Sequence, residues 1–458
     1  MKEATPFTVA YDAWNAKRAG LSAILKRQQV RLKELVAFAR EHSRYYAEKY
    51  SHLPALIEGL HQFPVVTKPE LMARFEDWVT DPAIKRVDVE AFVADESKIG
   101  NTFLNRYLVF TTSGSSGTPA ILIQDSLTQA VMNGLTYVRG LEMVSLHEYW
   151  QVFRKGGRQV ALFATSGHFL GVTMIERRRQ AKPWRTKISR IISVLTPLPE
   201  VVKELNEFQP AMVAGYATML ILLAEEQEAG RLHIHPALIT SSGETLSPQS
   251  RDQIQRAFGC ILTESYGCSE ATPLTITCRH QRLHVNSDWF ILEAVDQSYN
   301  PVSPGQYSHT VLITNLANHV QPIIRYELGD SVTPDPDPCP CGSPLPSVRV
   351  IGRTDEILAF ESPNNTKVHI LPLALWSVIK ETPGVLRFQA IKTGPAKLSV
   401  RLEPKNSNEP VSVWQVLEQR LQEYLCAQGL PNISIERDIT PPTRDPRSGK
   451  FRNVWSEC

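Results

Sequence analysis

The 458-residue chain has no strong charge of either sign, no long apolar run and few cysteines, and each shortage removes a class of protein. Lys+Arg number 49 and Asp+Glu 47, a formal net charge of +2. Bulk electrostatics therefore give no case for nucleic acid or an acidic partner. The longest apolar run, 211–224, is interrupted by Gly215, Tyr216 and Thr218 and is too short to span a bilayer. The opening MKEATPFTVAYDAW has no apolar core of signal-peptide length. Seven cysteines, unevenly spread, do not make a disulfide framework. The expectation is a reduced, cytoplasmic protein without membrane or nucleic-acid partners, its oligomeric state open. There is no internal repeat, and no G-x-x-x-x-G-K-[ST] run, which disfavours an ordinary P-loop NTPase.

What is present is the composition of a globular enzyme, 42% hydrophobic and 21% charged. Apolar residues at helical spacing predict one long amphipathic helix over 21–49. PVVTKPEL at 64–71 predicts a turn into a helix, with Thr67 as N-cap and Pro69 in the first turn. From Val160 onward short apolar runs at 160–163, 191–195, 212–214, 238–240 and 260–264 alternate with helical patterns at 201–207, 217–228 and 247–258. That alternation predicts an α/β fold with a largely parallel sheet, and ligand loops at the C-terminal ends of its strands. After Ser287 the runs at 290–295, 310–314 and 323–326 lack intervening helices and predict an antiparallel sheet or small barrel. DPDPCPCGSPLP at 335–346 is too proline-rich for regular structure. Helix, strand, helix and strand patterns at 371–380, 398–402, 413–428 and 433–437 predict a separate C-terminal lobe.

The stretch LVFTTSGSSGTPAIL at 108–122 places hydroxyls and glycines between two buried-strand patterns. Glycine lets the backbone approach a ligand, and oriented amides form an anion-binding nest. Taken alone it is equally a Ser/Gly-rich hairpin turn. Behind it stand SSGETL at 241–246, ESYGCSEAT at 264–272, RYELGD at 325–330 with GRTDEI at 352–357, and DPRSGKFRNV at 445–454. In this order the five pieces resemble the motif series of the acyl-adenylate-forming superfamily, most of all its phenylacetate–CoA ligase-like branch. The segments at 21–49 and 64–71 share that resemblance.

The resemblance implies a large N-terminal adenylation domain over 1–354, with parallel-sheet and small β subdomains, and a smaller mobile α+β domain over 355–458. It implies ATP, Mg²⁺ and CoA as cofactors, and a carboxylic acid, aromatic by resemblance alone, as substrate. Thr112, Ser113, Gly114, Ser115, Ser116 and Gly117 would hold the β- and γ-phosphates. Gly243 and Glu244 would border the adenine, Tyr266 would stack on it, and Asp330 with Arg353 would bind the ribose. Glu270 would ligate Mg²⁺, a hard oxygen donor suiting that ion. Asp355 would be the hinge and Lys450 the lysine that bridges carboxylate and α-phosphate. His168, Phe169 and Tyr216 fall in the acyl-pocket segments. The chain departs from the pattern at Ala120 and Ile121, where a basic residue is common, and at AFESPNNTK over 359–367.

Cys278, His284, Cys339 and Cys341 form a set of donors that suits tetrahedral Zn²⁺, with His280 competing for the nitrogen position. The resembled branch includes members with a similar cluster, which favours a structural zinc. Cys260, Cys268 and Cys426 read as small buried residues. The expected reaction is ATP-dependent formation of an acyl-adenylate and transfer to CoA. An amine or a carrier-protein thiol is the alternative acceptor, and a nucleotide-binding scaffold without turnover the alternative class.

Overall fold

The computed structural model describes residues 4–54, 59–112, 120–140, 144–165, 167–244, 246, 248–350, 358–364, 366–370, 372–405, 410–443 and 453–457. Its centre is a five-stranded sheet in the order Ser189–Ser193, Gln159–Phe163, Met212–Gly215, Leu238–Ser242 and Ile261–Ser265, every neighbouring pair parallel. Helices Leu170–Ala181, Leu198–Phe208, Ala217–Glu228 and Pro248–Phe258 follow the strands in turn. This is the strand–helix alternation predicted from the apolar runs. The run at 211–224 divides into a strand and a helix because Gly215 and Tyr216 fall between two different periodicities.

The β-rich part consists of two antiparallel sheets. Phe290–Val295, Thr310–Asn315 and Ile323–Glu327 form one. Val332–Pro334, Ser347–Val350, Leu283–Val285 and Thr275–Thr277 form the other. In the C-terminal part, Leu358–Glu361 pairs with Lys367–Ile370. A four-stranded sheet of Ser434–Asp438, Lys397–Pro404, Val385–Gly394 and Val454–Ser456 carries helices Pro372–Lys380 and Pro410–Ala427. Phe360, Phe388, Leu398, Leu417 and Leu421 form its own core. Tyr424 and Ala374 of this part also pack on the core of the parallel sheet. The predicted domain boundary at 354/355 lies outside the described residues.

Two local expectations need correction. The helix predicted over 21–49 is two helices, Leu21–His42 and Arg44–Lys49, broken at Ser43. The Ser43 hydroxyl accepts from the Tyr46 N–H and donates to the Asp77 carbonyl at 2.9 Å, bonds that favour a cap over a helix interior. Thr67 stands at the N-cap of Lys68–Ala73 with Pro69 in the first turn, as expected, and its side chain makes no capping bond. Instead the Glu70 carboxylate accepts from the Thr67 backbone. Cys426 is exposed rather than buried.

The helix Pro6–Arg18, which the sequence patterns did not reveal, starts at a Thr5–Thr8 capping box and crosses the helix Ser126–Gly140 at Gly134. A Cβ at Gly134 would stand 2.7 Å from the Pro6 carbonyl oxygen, so that crossing requires glycine. Further along the same helix, fully buried Arg139 donates to both carboxylate oxygens of Asp288 at 2.8 Å. Removing either partner would leave an uncompensated buried charge.

Candidate active site and metal centre

The hydroxyl–glycine loop springs from an antiparallel hairpin, Leu108–Thr111 with Ile121–Gln124. Thr112 closes its base. The Thr112 N–H donates to the Ala120 carbonyl at 3.0 Å, and the Ala120 N–H donates to Thr112 Oγ1 at 2.9 Å. Ser113, Gly114, Ser115, Ser116 and Gly117 lie outside the described residues, as do Arg353, Asp355 and Lys450. The Thr111 N–H donates to the His168 carbonyl at 2.9 Å, which ties the hairpin to the C-terminal edge of the parallel sheet.

That edge gathers most of the remaining candidates. Tyr216 follows Met212–Gly215, Gly243 follows Leu238–Ser242, and Tyr266 follows Ile261–Ser265. Gly243 has φ +80°, and a Cβ there would meet Tyr216 Cε1 at 2.8 Å. Glycine is therefore required both by the left-handed backbone and by the aromatic ring against it. The Tyr216 ring also meets Phe163 edge-on at 5.2 Å, and burial raises its hydroxyl pKa well above the ordinary range. Glu244 has a role that its motif did not signal: Oε2 accepts from the Thr218 N–H at 2.8 Å, capping the helix Ala217–Glu228.

Two tyrosine–carboxylate pairs stand beside this edge. Tyr266 Oη donates to Asp330 Oδ2 at 3.1 Å, and Tyr326 Oη donates to Glu270 Oε1 at 2.9 Å. The Tyr266 backbone is fixed by Thr275, whose hydroxyl accepts from its N–H at 3.1 Å and donates to its carbonyl at 2.8 Å. The Glu270 carbonyl accepts from Asn315 Nδ2 at 2.8 Å, and Glu270 is buried. The thiol of Cys268 has its pKa pushed well up, chiefly by burial and then by the charges of Glu270 and Asp330. Both carboxylates thus act on one small region. Tyr326, Thr275 and Asn315 were missed as site residues. Only Tyr326, inside RYELGD, carried a sequence signal.

His168 is buried, with Nε2 donating to the Asp95 carbonyl at 3.2 Å and its ring 5.3 Å from Phe92. Burial lowers its pKa, so the ring is held neutral. Phe169, at the N-cap of Leu170–Ala181, packs between the parallel-sheet core and the C-terminal core.

The four metal-ligand candidates converge. One ligand atom each from Cys278, His284, Cys339 and Cys341 lies within 4.8 Å of all the others. Cys278 and Cys339 Sγ are 3.6 Å apart, and Cys341 Sγ is 3.4 Å from His284 Nε2. Sulfurs on one tetrahedral zinc stand about 3.7 Å apart, given Zn–S bonds of about 2.3 Å. His284 Nδ1–H donates to the Leu345 carbonyl at 2.8 Å, which fixes the tautomer with Nε2 open to a metal. His284, rather than His280, is therefore the nitrogen of the cluster. The pairing of Ser347 opposite His284 places it there.

No protein-family model matches the chain. The fold superposes on 2-hydroxyisobutyryl-CoA ligase with 2-HIB-AMP and CoA in the thioesterification state, with a TM-score of 0.56. The sequences are 20% identical, and the match covers 95% of this chain and 89% of that one. A postadenylation structure of the same ligase gives a TM-score of 0.54 at 20% identity over the same shares. The chain thus has the fold of these acyl-CoA ligase structures. The chain is 26% identical over 274 residues to a phenylacetate-coenzyme A ligase of Thermus thermophilus, 55% of this chain and 61% of the relative. It is 23% identical over 313 residues to Protein CapK of Staphylococcus aureus, 67% of this chain and 62% of the relative. The chain thus spans about three fifths of the length of the curated relatives it matches.

Proposed function

We propose that the protein is an AMP-forming acid–thiol ligase. A carboxylate oxygen attacks the α-phosphorus of ATP; the new O–P bond forms as the bond to the bridging oxygen breaks, and pyrophosphate leaves. The CoA thiolate then attacks the acyl carbon, a new C–S bond forms as the acyl C–O bond to the AMP phosphate breaks, and AMP departs, giving a thioester. Both reactants of the first step are anions, so catalysis consists chiefly of alignment and charge neutralisation. The observation that carries this reading is the pair of tyrosine-held carboxylates, Glu270 and Asp330, beside the sheet edge to which the phosphate-loop hairpin is tied. The similarity to a phenylacetate–CoA ligase supports it.

In this reading Asp330 binds the ribose together with Arg353, Tyr266 faces the adenine, and Thr112 to Gly117 hold the phosphates. His168, Phe169 and Tyr216 serve the acyl pocket. Glu270 is a buried oxygen donor with one oxygen bonded to Tyr326, which fits Mg²⁺. Bound there, the ion would neutralise charge on the departing pyrophosphate. The domains are 1–354 and 355–458, and the smaller turns about Asp355 to bring Lys450 to the reacting carboxylate. A cation delivered to such a site contributes on the order of a hundredfold in rate. The Cys278, His284, Cys339 and Cys341 set holds a structural zinc that pins the proline-rich loop. The site of action is the cytoplasm.

The test is pyrophosphate release across a panel of acids, with products weighed after addition of CoA or an amine. Acid-dependent release and an acyl-CoA product support the ligase. An amide without acyl-CoA moves the acceptor to an amine, and ATP binding without acid-dependent release leaves only a nucleotide-binding scaffold.

A further inference from the structure

No helix among the described residues is long and apolar enough to cross a membrane, yet one helix offers an apolar face to solvent. Leu146–Arg154 has no buried residue. Its apolar side chains Leu146, Tyr149, Trp150 and Phe153 recur at i, i+3, i+4 and i+7, which sets them on one face. Leu146 is 88% exposed, Trp150 57% and Phe153 73%, and the Trp150 and Phe153 rings stack at 5.6 Å. A capping box between Ser145 and Glu148 fixes the start of the helix. An exposed apolar face of this kind marks an interaction surface.

Its surroundings are basic. Residues 144–190 hold ten Lys/Arg and two Asp/Glu, although the whole chain is only +2, so the remainder is net acidic. The Gln159 N–H donates to the Ile188 carbonyl at 2.8 Å, which brings the residues after this helix beside the turn Pro183–Lys187. There Trp184 is 55% exposed. Both segments enter strands of the parallel sheet, so they lie at its N-terminal edge, opposite the candidate active site. Arg179 is paired with Glu176. Arg154, Lys155, Arg177, Arg178, Arg185 and Lys187 have no carboxylate partner among the described residues. Burial lowers the Arg178 pKa; Tyr137 opposes this and the like charge of Arg185 adds to it.

We propose that this edge docks the protein on an anionic lipid surface, with Leu146, Trp150 and Phe153 entering the headgroup boundary and the flanking arginines and lysines meeting lipid phosphates. Aromatic and aliphatic side chains flanked by long cationic ones are the composition of an interfacial helix. A second copy meeting this face by twofold symmetry would set the basic clusters against each other, so self-pairing is disfavoured. The catalytic edge would face away from the lipid and stay open to soluble substrates.

The experiment is co-sedimentation of the full chain with equimolar phosphatidylglycerol–phosphatidylcholine vesicles and with pure phosphatidylcholine vesicles, without substrates, so its outcome is independent of the ligase reading. The expected result is binding to the anionic vesicles alone, weakened by salt. It should fall about tenfold or more in Trp150→Ser/Phe153→Ser and in Arg185→Glu/Lys187→Glu. Thermal unfolding is measured on each variant, with the single Phe153→Ser as a milder replacement should a double variant fail to fold. No binding, equal binding to neutral vesicles, or binding unchanged in the folded variants would overturn the proposal. So would a dimer seen by sedimentation velocity that Trp150→Ser/Phe153→Ser dissolves.

Discussion

Tyr326 and Glu270 form a buried pair, Oη to Oε1 at 2.9 Å, between a strand of the three-stranded antiparallel sheet and the loop after the last parallel strand. The pair joins the parallel-sheet part to the β-rich part at the carboxylate proposed to hold magnesium. Tyr326 sets the direction of that carboxylate and leaves Oε2 for other partners.

Tyr326→Phe should therefore weaken magnesium binding more than it weakens the fold. Losing one hydrogen bond to a carboxylate costs about 1.5–3 kcal/mol, or roughly ten- to a hundredfold. A Mg²⁺ titration of pyrophosphate release should show a raised half-saturation point at near-native thermal stability. Glu270→Gln should lose more, because it removes the charge.

Gly243→Ala should raise KM for ATP and for the acid together, since the new methyl presses on Tyr216 at a left-handed backbone position. Strain of this kind costs about 1–3 kcal/mol. Steady-state kinetics with each substrate varied would check it, and a change in neither constant would remove Gly243 from the site.

The metal centre gives a discriminating pair of variants. Purified protein should contain about one zinc per chain. His284→Ala and Cys339→Ser should lose it and unfold at lower temperature, while His280→Ala should keep it. Metal analysis by mass spectrometry reads all three.

His168 supplies a pH dependence. Its folded pKa lies below the ordinary value, so between the two the unfolded chain binds more protons. The stability it contributes is present above the unfolded value of about 6.5 and is lost as pH falls through the folded one. Urea unfolding against pH should give a shallower slope in His168→Gln across that window.

The parallel sheet was legible because each strand is a short apolar run, although the run at 191–195 overlaps only the end of the strand Ser189–Ser193. The strand Val385–Gly394 was not, because Leu386 and Arg387 at its start are exposed and blur the pattern. The helix Pro6–Arg18 opens with Thr at both capping-box positions, and its exposed Phe7 and Tyr11 hide the buried stripe of Val9, Ala13 and Ala16. In the site, motif order singled out Glu270, Asp330 and Tyr266 as candidates, but which tyrosine pairs with which carboxylate depends on the fold. Spacing admitted both His280 and His284, and only the register opposite Ser347 separates them. Glu244 reads as a nucleotide residue from its motif and caps a helix in the fold, a tertiary role that one sequence cannot reveal.

The decisive assay compares acid-dependent pyrophosphate release by the intact chain and by Lys450→Ala, with ATP, Mg²⁺ and a panel of carboxylic acids. The expected result is release with at least one acid, reduced by about a hundredfold or more in the variant. Release that ignores the acid, or that survives unchanged without the Lys450 amine, would contradict acyl-adenylate formation by the proposed site.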